Sequence, residues 1–212
     1  MTPARLVLAQ WLSPAFPVGG FAFSQGLEWA IAGGEVATAG ALRGWLEGCL
    51  AHGAGRSDAI LLCLALRGED SGLDSGLDDL ARALAPARER LEETEAQGAA
   101  FAAAVGALGV DVAPSPLPLV VGRAARGLGL EPAEVAALWL QAQACNLIQI
   151  AVRLVPLGQG DGQRMLLELQ PLILRLAEEA AGAGPEDLGA AAFRADLASL
   201  RHETMEVRLC RT

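Results

Sequence analysis

The feature that most constrains this chain is the period of its apolar residues, which is helical from one end to the other. Ala, Leu, Arg and Glu dominate, and alternation of β-branched or aromatic residues with polar ones is nearly absent. Such a sequence offers amphipathic helices and no convincing strand. Ser13-Pro14 ends a first helix over Leu6–Leu12, and Ser24 caps a second that runs to Ile31. Thr38 caps a third, through His52, and Ser57 with Asp58 opens a fourth, through Leu66. A long helix over Pro86–Ala107 and another near Val120–Leu128 follow. Glu131-Pro132 then opens a central helix, Ala133–Leu154, which Pro156 and three glycines end. Pro171 suits a first helical position, dividing the next stretch into Gln163–Leu169 and Pro171–Ala181. Asp196 caps a last helix over Leu197–Glu206. The expectation is an all-α bundle of about ten helices, a single domain over residues 1–212 with no internal linker.

Composition narrows the partners. Hydrophobic residues make up 52% of the chain and charged residues 19%. That is more apolar than one compact monomer needs, so a homodimer or another partner is expected to cover the excess. On the central helix Gln143, Asn146, Gln149 and Arg153 form one polar stripe, opposite Leu140, Ala144, Leu147, Ile148, Ala151 and Val155. Two uncharged stretches fail as membrane spans: Leu6–Leu27 is broken by Pro and Gly, and Val135–Val152 carries three Gln and an Asn. The formal charge of −9 repels phosphate backbones and argues against nucleic acid. All sixteen basic residues are Arg, which favours fixed bidentate ion pairs. Cys49, Cys63, Cys145 and Cys210 are scattered with no CxxC pair, as in a reduced cytoplasmic protein. The run Leu6–Leu12 is short for a signal peptide and contains Gln10.

Residues that carry chemistry are scarce. Tyr and Lys are absent, and His52 and His202 are the only histidines. Cys49 and His52 lie one turn apart on one helix, which suits neither a proton relay nor a metal site with three or four ligands. No GxSxG turn is present. The connector Gly68–Asp79 repeats Ser-Gly-Leu-Asp but lacks the ligand spacing of a calcium loop, and reads as a solvated link. No catalytic residue, metal or cofactor is expected.

Three motifs remain. Near the start, Pro17, Gly19 and Gly20 make a sharp turn, Phe21 and Phe23 are apolar anchors, and Ser24, Gln25 and Gly26 lead into a helix. Glu28 lies one turn in, where a carboxylate favours the helix dipole. In the middle, Arg153, Pro156, Gly158, Gln159, Gly162 and Gln163 belong to a glycine turn. Its backbone could face a phosphate, but it lacks the Lys and Ser/Thr of a P-loop and follows a helix. At the end, Arg201, His202, Glu203, Arg208, Leu209 and Arg211 make an apolar, cationic, uncapped stretch. Residues 207–212 are expected to be disordered when free and to order on a partner, with packing on their own domain as the alternative.

In order and spacing these three motifs resemble the UreF family of urease accessory proteins. Ser57-Asp58-Ala59, Leu117–Leu130 and Asp196–Glu203 extend the resemblance, the acidic connector matches least, and Met205, Glu206 and Cys210 depart from the family pattern. The resemblance implies an all-α homodimer with no chemistry of its own. It would bridge UreD (also called UreH) and the GTPase UreG, so that nickel passes to apo-urease at the expense of GTP. It also implies that Glu28 lies at the surface meeting UreG. A rival reading is a GTPase-activating protein for UreG, with an Arg stabilising the transferred phosphoryl group. Direct nickel binding has only two histidines and four dispersed cysteines to draw on.

Overall fold

A computed structural model describes residues 2–68 and 76–212. Every regular element among them is helical, and no strand occurs among the described residues. The α-helices are α1 (Pro3–Trp11), α2 (Leu27–Ala32), α3 (Ala39–His52), α4 (Ala54–Arg67), α5 (Gly76–Ala83) and α6 (Arg88–Gly106). They continue with α7 (Leu117–Ala125), α8 (Pro132–Leu154), α9 (Gln159–Gly182) and α10 (Phe193–His202). Single 3₁₀ turns cover Gly20–Ala22, Arg126–Leu128 and Pro185–Asp187. The all-α expectation holds.

The core forms around α4 and α8. Helix α8 runs along α9 and crosses α4 and α2, and its six expected apolar positions, Leu140 to Val155, are all buried. Helix α4 is surrounded by α3, α7, α8 and α9, and every residue from Ala59 to Ala65 is buried. Its crossing with α7 is close at Gly122, where a Cβ would stand 2.4 Å from the Leu62 carbonyl oxygen. Only glycine permits that approach. Helix α8 and the α3–α4 run are apolar and long enough to cross a bilayer, but half and two-thirds of those stretches are buried inside the fold. Core packing accounts for their hydropathy.

Some boundaries differ from the sequence expectation. Thr38 caps α3 as expected, its Oγ1 accepting the Ala41 N–H at 3.2 Å. Ser57 and Asp58 do not cap α4, which starts at Ala54. Ser57 instead donates to the Gly189 carbonyl at 2.9 Å, and Asp58 enters a buried ion pair. Pro171 does not divide α9. Gly162, Met165, Leu169, Ile173, Leu176, Ala177 and Ala180 form one buried stripe that continues past it, with Pro171 on the exposed side. The bond lost at proline therefore frees a carbonyl near solvent, at a cost the packing outweighs. Helix α5 occupies the end of the expected connector, held by Asp78–Arg123 at 2.8 Å and Arg82–Glu95 at 2.9 Å. Residues 71–74 of the acidic repeat lie outside the described residues. Asp196 sits inside α10 rather than at its cap.

Candidate functional site

The N-terminal motif is built onto the polar stripe of α8. Gly19 has φ +72°, which turns the chain into the Gly20–Ala22 turn. Asn146 Nδ2 donates to the Gly20 carbonyl at 3.0 Å, and Arg153 Nη2 donates to the Phe21 carbonyl at 2.9 Å. Pro17, at the start of the motif, is exposed. Of the two expected anchors, Phe23 is buried while Phe21 stands exposed. Gly26, not Ser24 as expected, is the N-cap of α2, although Ser24 Oγ still accepts the Glu28 N–H in its first turn at 3.2 Å. Gln25 is the single non-glycine residue with positive φ among the described residues, at +56°. Gly26 follows at φ +78°, and a Cβ there would stand 2.6 Å from the Ser199 nitrogen of α10.

This strained turn receives the end of the chain. The Arg211 N–H donates to the Ala22 carbonyl at 2.6 Å, and the Ser24 N–H donates to the Thr212 carbonyl at 2.8 Å. Ser24 Oγ also donates to that carbonyl, and the Gln25 N–H donates to Thr212 Oγ1 at 3.2 Å. Cys210 and Thr212 are buried. Residues 207–212 are docked through their own backbone, which is the alternative of packing on their own domain and not the expected disorder.

Glu28 is the centre of the docking. It is only 5% exposed, so it does not present the surface carboxylate that the resemblance implied. Its Oε1 accepts the Leu209 N–H and its Oε2 the Cys210 N–H, each at 2.7 Å. His202, fully buried, places Nε2 3.3 Å from Glu28 Oε2 and Nδ1 2.7 Å from Glu89 Oε2. Arg208 pairs with Glu89 Oε1 at 2.5 Å. Burial pushes the Glu28 carboxyl up, but the Leu209 and Cys210 N–H groups and His202 outweigh it and hold the group below its ordinary value of 4.5.

A second buried charge cluster continues from this one along α6. Its inward face reads Glu89, Arg90, Glu93, Thr94, Gln97, Gly98, Phe101, Ala102 and Val105, an unbroken helical stripe whose first half is polar. Arg90 pairs with Asp58 at 2.7 Å and lies 3.7 Å from Glu93. Gln143 Nε2 donates to Asp58 at 3.2 Å, and Gln25 Nε2 to Glu93 at 3.1 Å. Thr212 Oγ1 donates to Glu93 at 3.2 Å, which joins the tail to this cluster. Burial pushes both carboxyls, Asp58 and Glu93, above their ordinary values, with Arg90 opposing in each case. None of the α6 charges stood out as a site residue in the sequence. Their i, i+4 register with Phe101 and Val105 was the available signal.

The remaining candidates have plainer places. Glu203 accepts the backbone N–H groups of Arg88 at 2.8 Å and Glu89 at 3.4 Å, capping α6 from another element. Arg201 lies over Trp29 at 5.2 Å, and Arg211 over Phe23 at 5.5 Å. Pro156, Gly158, Gln159, Gly162 and Gln163 end α8 and start α9. Asp161 takes the Gly158 N–H at 3.2 Å, and Gly162 packs on Ile148. An aspartate thus already occupies the helix start that could have faced a phosphate. The Cys49 thiol is pushed up to about 12 by burial and by Asp196, which makes it a poor nucleophile. No group of three or more His, Cys, Asp or Glu able to hold a metal ion occurs among the described residues.

The outer side of the same region is apolar. Phe193, Leu197 and Leu200 share one face of α10 and are exposed, as are Val207 and Leu209 of the tail.

Fold and site together define an all-helical protein whose buried charges fasten its own tail and whose last helix carries exposed apolar residues. A family model described as UreF matches residues 36–170. The urease accessory protein UreF of Cereibacter sphaeroides is 60% identical over the whole of both chains. Its namesake from Paracoccus denitrificans is 55% identical over 99% of this chain and 96% of its own. A third, from Rhodopseudomonas palustris, is 45% identical over 97% of this chain and 92% of its own. The chain belongs to the UreF family of urease accessory proteins, with a role in urease maturation.

Proposed function

We propose that this protein is a cytoplasmic, non-catalytic adaptor. As a homodimer it would bridge UreD and the GTPase UreG, so that nickel enters apo-urease at the expense of GTP. The supporting observation is the exposed apolar run of α10 and the tail. Phe193, Val207 and Leu209 are 79%, 74% and 77% exposed, and Arg208 and Arg211 belong to the same tail segment as the last two. Large exposed apolar side chains on one face of a helix and in the tail that follows it, with Arg in the same segment, have the composition of a protein-binding hot spot. The fastened tail supports the same reading, because Glu28 and Ser24 fix the tail backbone and Glu89 holds the Arg208 side chain, while Val207 and Leu209 stay exposed. UreD is the partner we assign to this surface.

Co-purification with tagged UreD and tagged UreG, each omitted in turn, tests the reading. An adaptor retains UreG on tagged UreD only when this chain is present. Retention of UreG without it would remove the bridging role. A GTP-turnover assay of UreG with and without the chain separates the adaptor from a GTPase-activating protein.

A further inference from the structure

His202 of α10 is fully buried, and both of its ring nitrogens face carboxylates. Nδ1 lies 2.7 Å from Glu89 Oε2 on α6, and Nε2 lies 3.3 Å from Glu28 Oε2 on α2. A neutral imidazole has one N–H donor and one lone pair, whereas the imidazolium has two N–H donors. A neutral ring would therefore turn a lone pair towards one of the two carboxylates, away from solvent.

The groups around the ring decide its charge. From α2, Glu28 takes the Leu209 and Cys210 N–H groups and is held below its ordinary value, so at neutral pH it meets Nε2 as an ionised acceptor. From α6, Glu89 gives its other oxygen to the Arg208 guanidinium of the tail at 2.5 Å, a partner that can only donate. Cys210 beside Glu28 is pushed up to about 11 by burial and by that carboxylate, so it is a neutral thiol. On α10 itself, Arg201 lies over Trp29 and Glu203 caps the start of α6. Two carboxylates thus stand against one guanidinium. A charged ring balances them, whereas a neutral ring would leave a buried carboxylate uncompensated.

We propose that His202 is an imidazolium clamp, whose second proton ties α2 to α6 and keeps Leu209 and Cys210 docked on Glu28. The longer contact, at Nε2, is the one that gives up its proton. Glu28 Oε2 then meets a lone pair and turns away, taking with it the acceptor of both tail N–H groups. The ring holds both carboxylates only in its charged form, so its contribution is present while it is protonated and is lost as pH rises and the proton leaves. That sense is opposite to the Glu28 carboxyl, whose contribution is lost as pH falls. The clamp belongs to this chain alone, so its test needs no partner protein.

The test is nitrogen NMR on the full chain labelled in histidine, with hydrogen exchange read at Leu209. At neutral pH both His202 nitrogens should resonate as protonated, with the exposed His52 ring as internal reference. Raising the pH should remove the Nε2 proton and the protection of the Leu209 N–H in one step with a common midpoint. In His202→Gln that step should vanish, and Leu209 protection at neutral pH should fall at least tenfold, the equivalent of about 1.4 kcal/mol. A neutral ring at neutral pH in the docked chain overturns the proposal, as does a ring that loses its proton while Leu209 stays protected. Both of these readings come from the unaltered chain, so they decide the matter even if the variant fails to fold.

Discussion

Glu28 Oε2 accepts the Cys210 N–H at 2.7 Å across 182 positions of sequence. A carboxylate in the first turn of the second helix therefore fixes the last residues of the chain. Its other oxygen takes the Leu209 N–H, and His202 closes the arrangement from α10. The first and third sequence motifs meet at this one carboxylate.

Glu28→Gln tests the fastening. The amide keeps the shape but replaces one acceptor oxygen with a donor that faces a backbone N–H. Hydrogen bonds to a charged group are worth about 1.5–3 kcal/mol, and a loss near 2 kcal/mol is expected in chemical denaturation. Hydrogen exchange at Leu209 and Cys210 should rise while α8 stays protected. Unchanged exchange at both amides would show that the backbone contacts at Ser24 hold the tail alone.

Acid should release the tail. The Glu28 carboxyl lies below its ordinary value in the folded chain, so its stabilisation is present above 4.5 and lost as pH falls through the depressed value. Asp58 and Glu93 are raised by burial, so their protonation runs in the opposite sense, favouring the folded chain as pH falls. A global melting curve mixes the two. The Cys210 amide resonance isolates the first: it should hold its docked position through neutral pH and shift only below 4.5.

Gly26→Ala should be costly in spite of its small size. Positive φ costs a non-glycine residue roughly 1–2 kcal/mol, and the added Cβ would collide with the Ser199 backbone nitrogen at 2.6 Å. Denaturant unfolding should show a loss of more than 2 kcal/mol, a threshold set by that same strain plus the clash. A loss under 1 kcal/mol, below the strain alone, would mean that α2 and α10 can separate at this point.

Pro171→Ala is expected to stabilise α9. It restores a helical N–H donor at an exposed position on a helix whose buried stripe is already continuous. Proline in a helix interior costs up to about 3 kcal/mol relative to Ala, and a gain of 1–3 kcal/mol would register in the melting temperature. Destabilisation would show that a kink at Pro171 serves the packing of α9 on α8.

Much of the fold was legible because its signals are local. Thr38, the Glu131-Pro132 start of α8 and the apolar face of α8 were readable from spacing alone, and the structure agrees at each. Pro171 misled because local propensity favours a break, whereas the stripe from Gly162 to Ala180 is a tertiary fact. The site was legible only in part. Its motifs stood out as sequence, but their meeting did not, since nothing near Glu28 indicates that Leu209 and Cys210 lie against it. Arg90, Glu93 and Asp58 were hidden for a related reason: a charged residue on a helix is usually solvated, and burial by distant elements cannot be read from its neighbours.

The central claim is that the exposed apolar run of α10 and the tail is a protein-binding surface for UreD. The most direct measurement is capture of UreD by the double variant Leu197→Glu/Leu200→Glu, compared with the unaltered chain. Both side chains are about half exposed, so the fold should survive, with unchanged circular dichroism and Cys210 amide exchange. The account predicts that UreD capture falls at least tenfold, the equivalent of about 1.4 kcal/mol. Capture at full strength by the folded variant would contradict it.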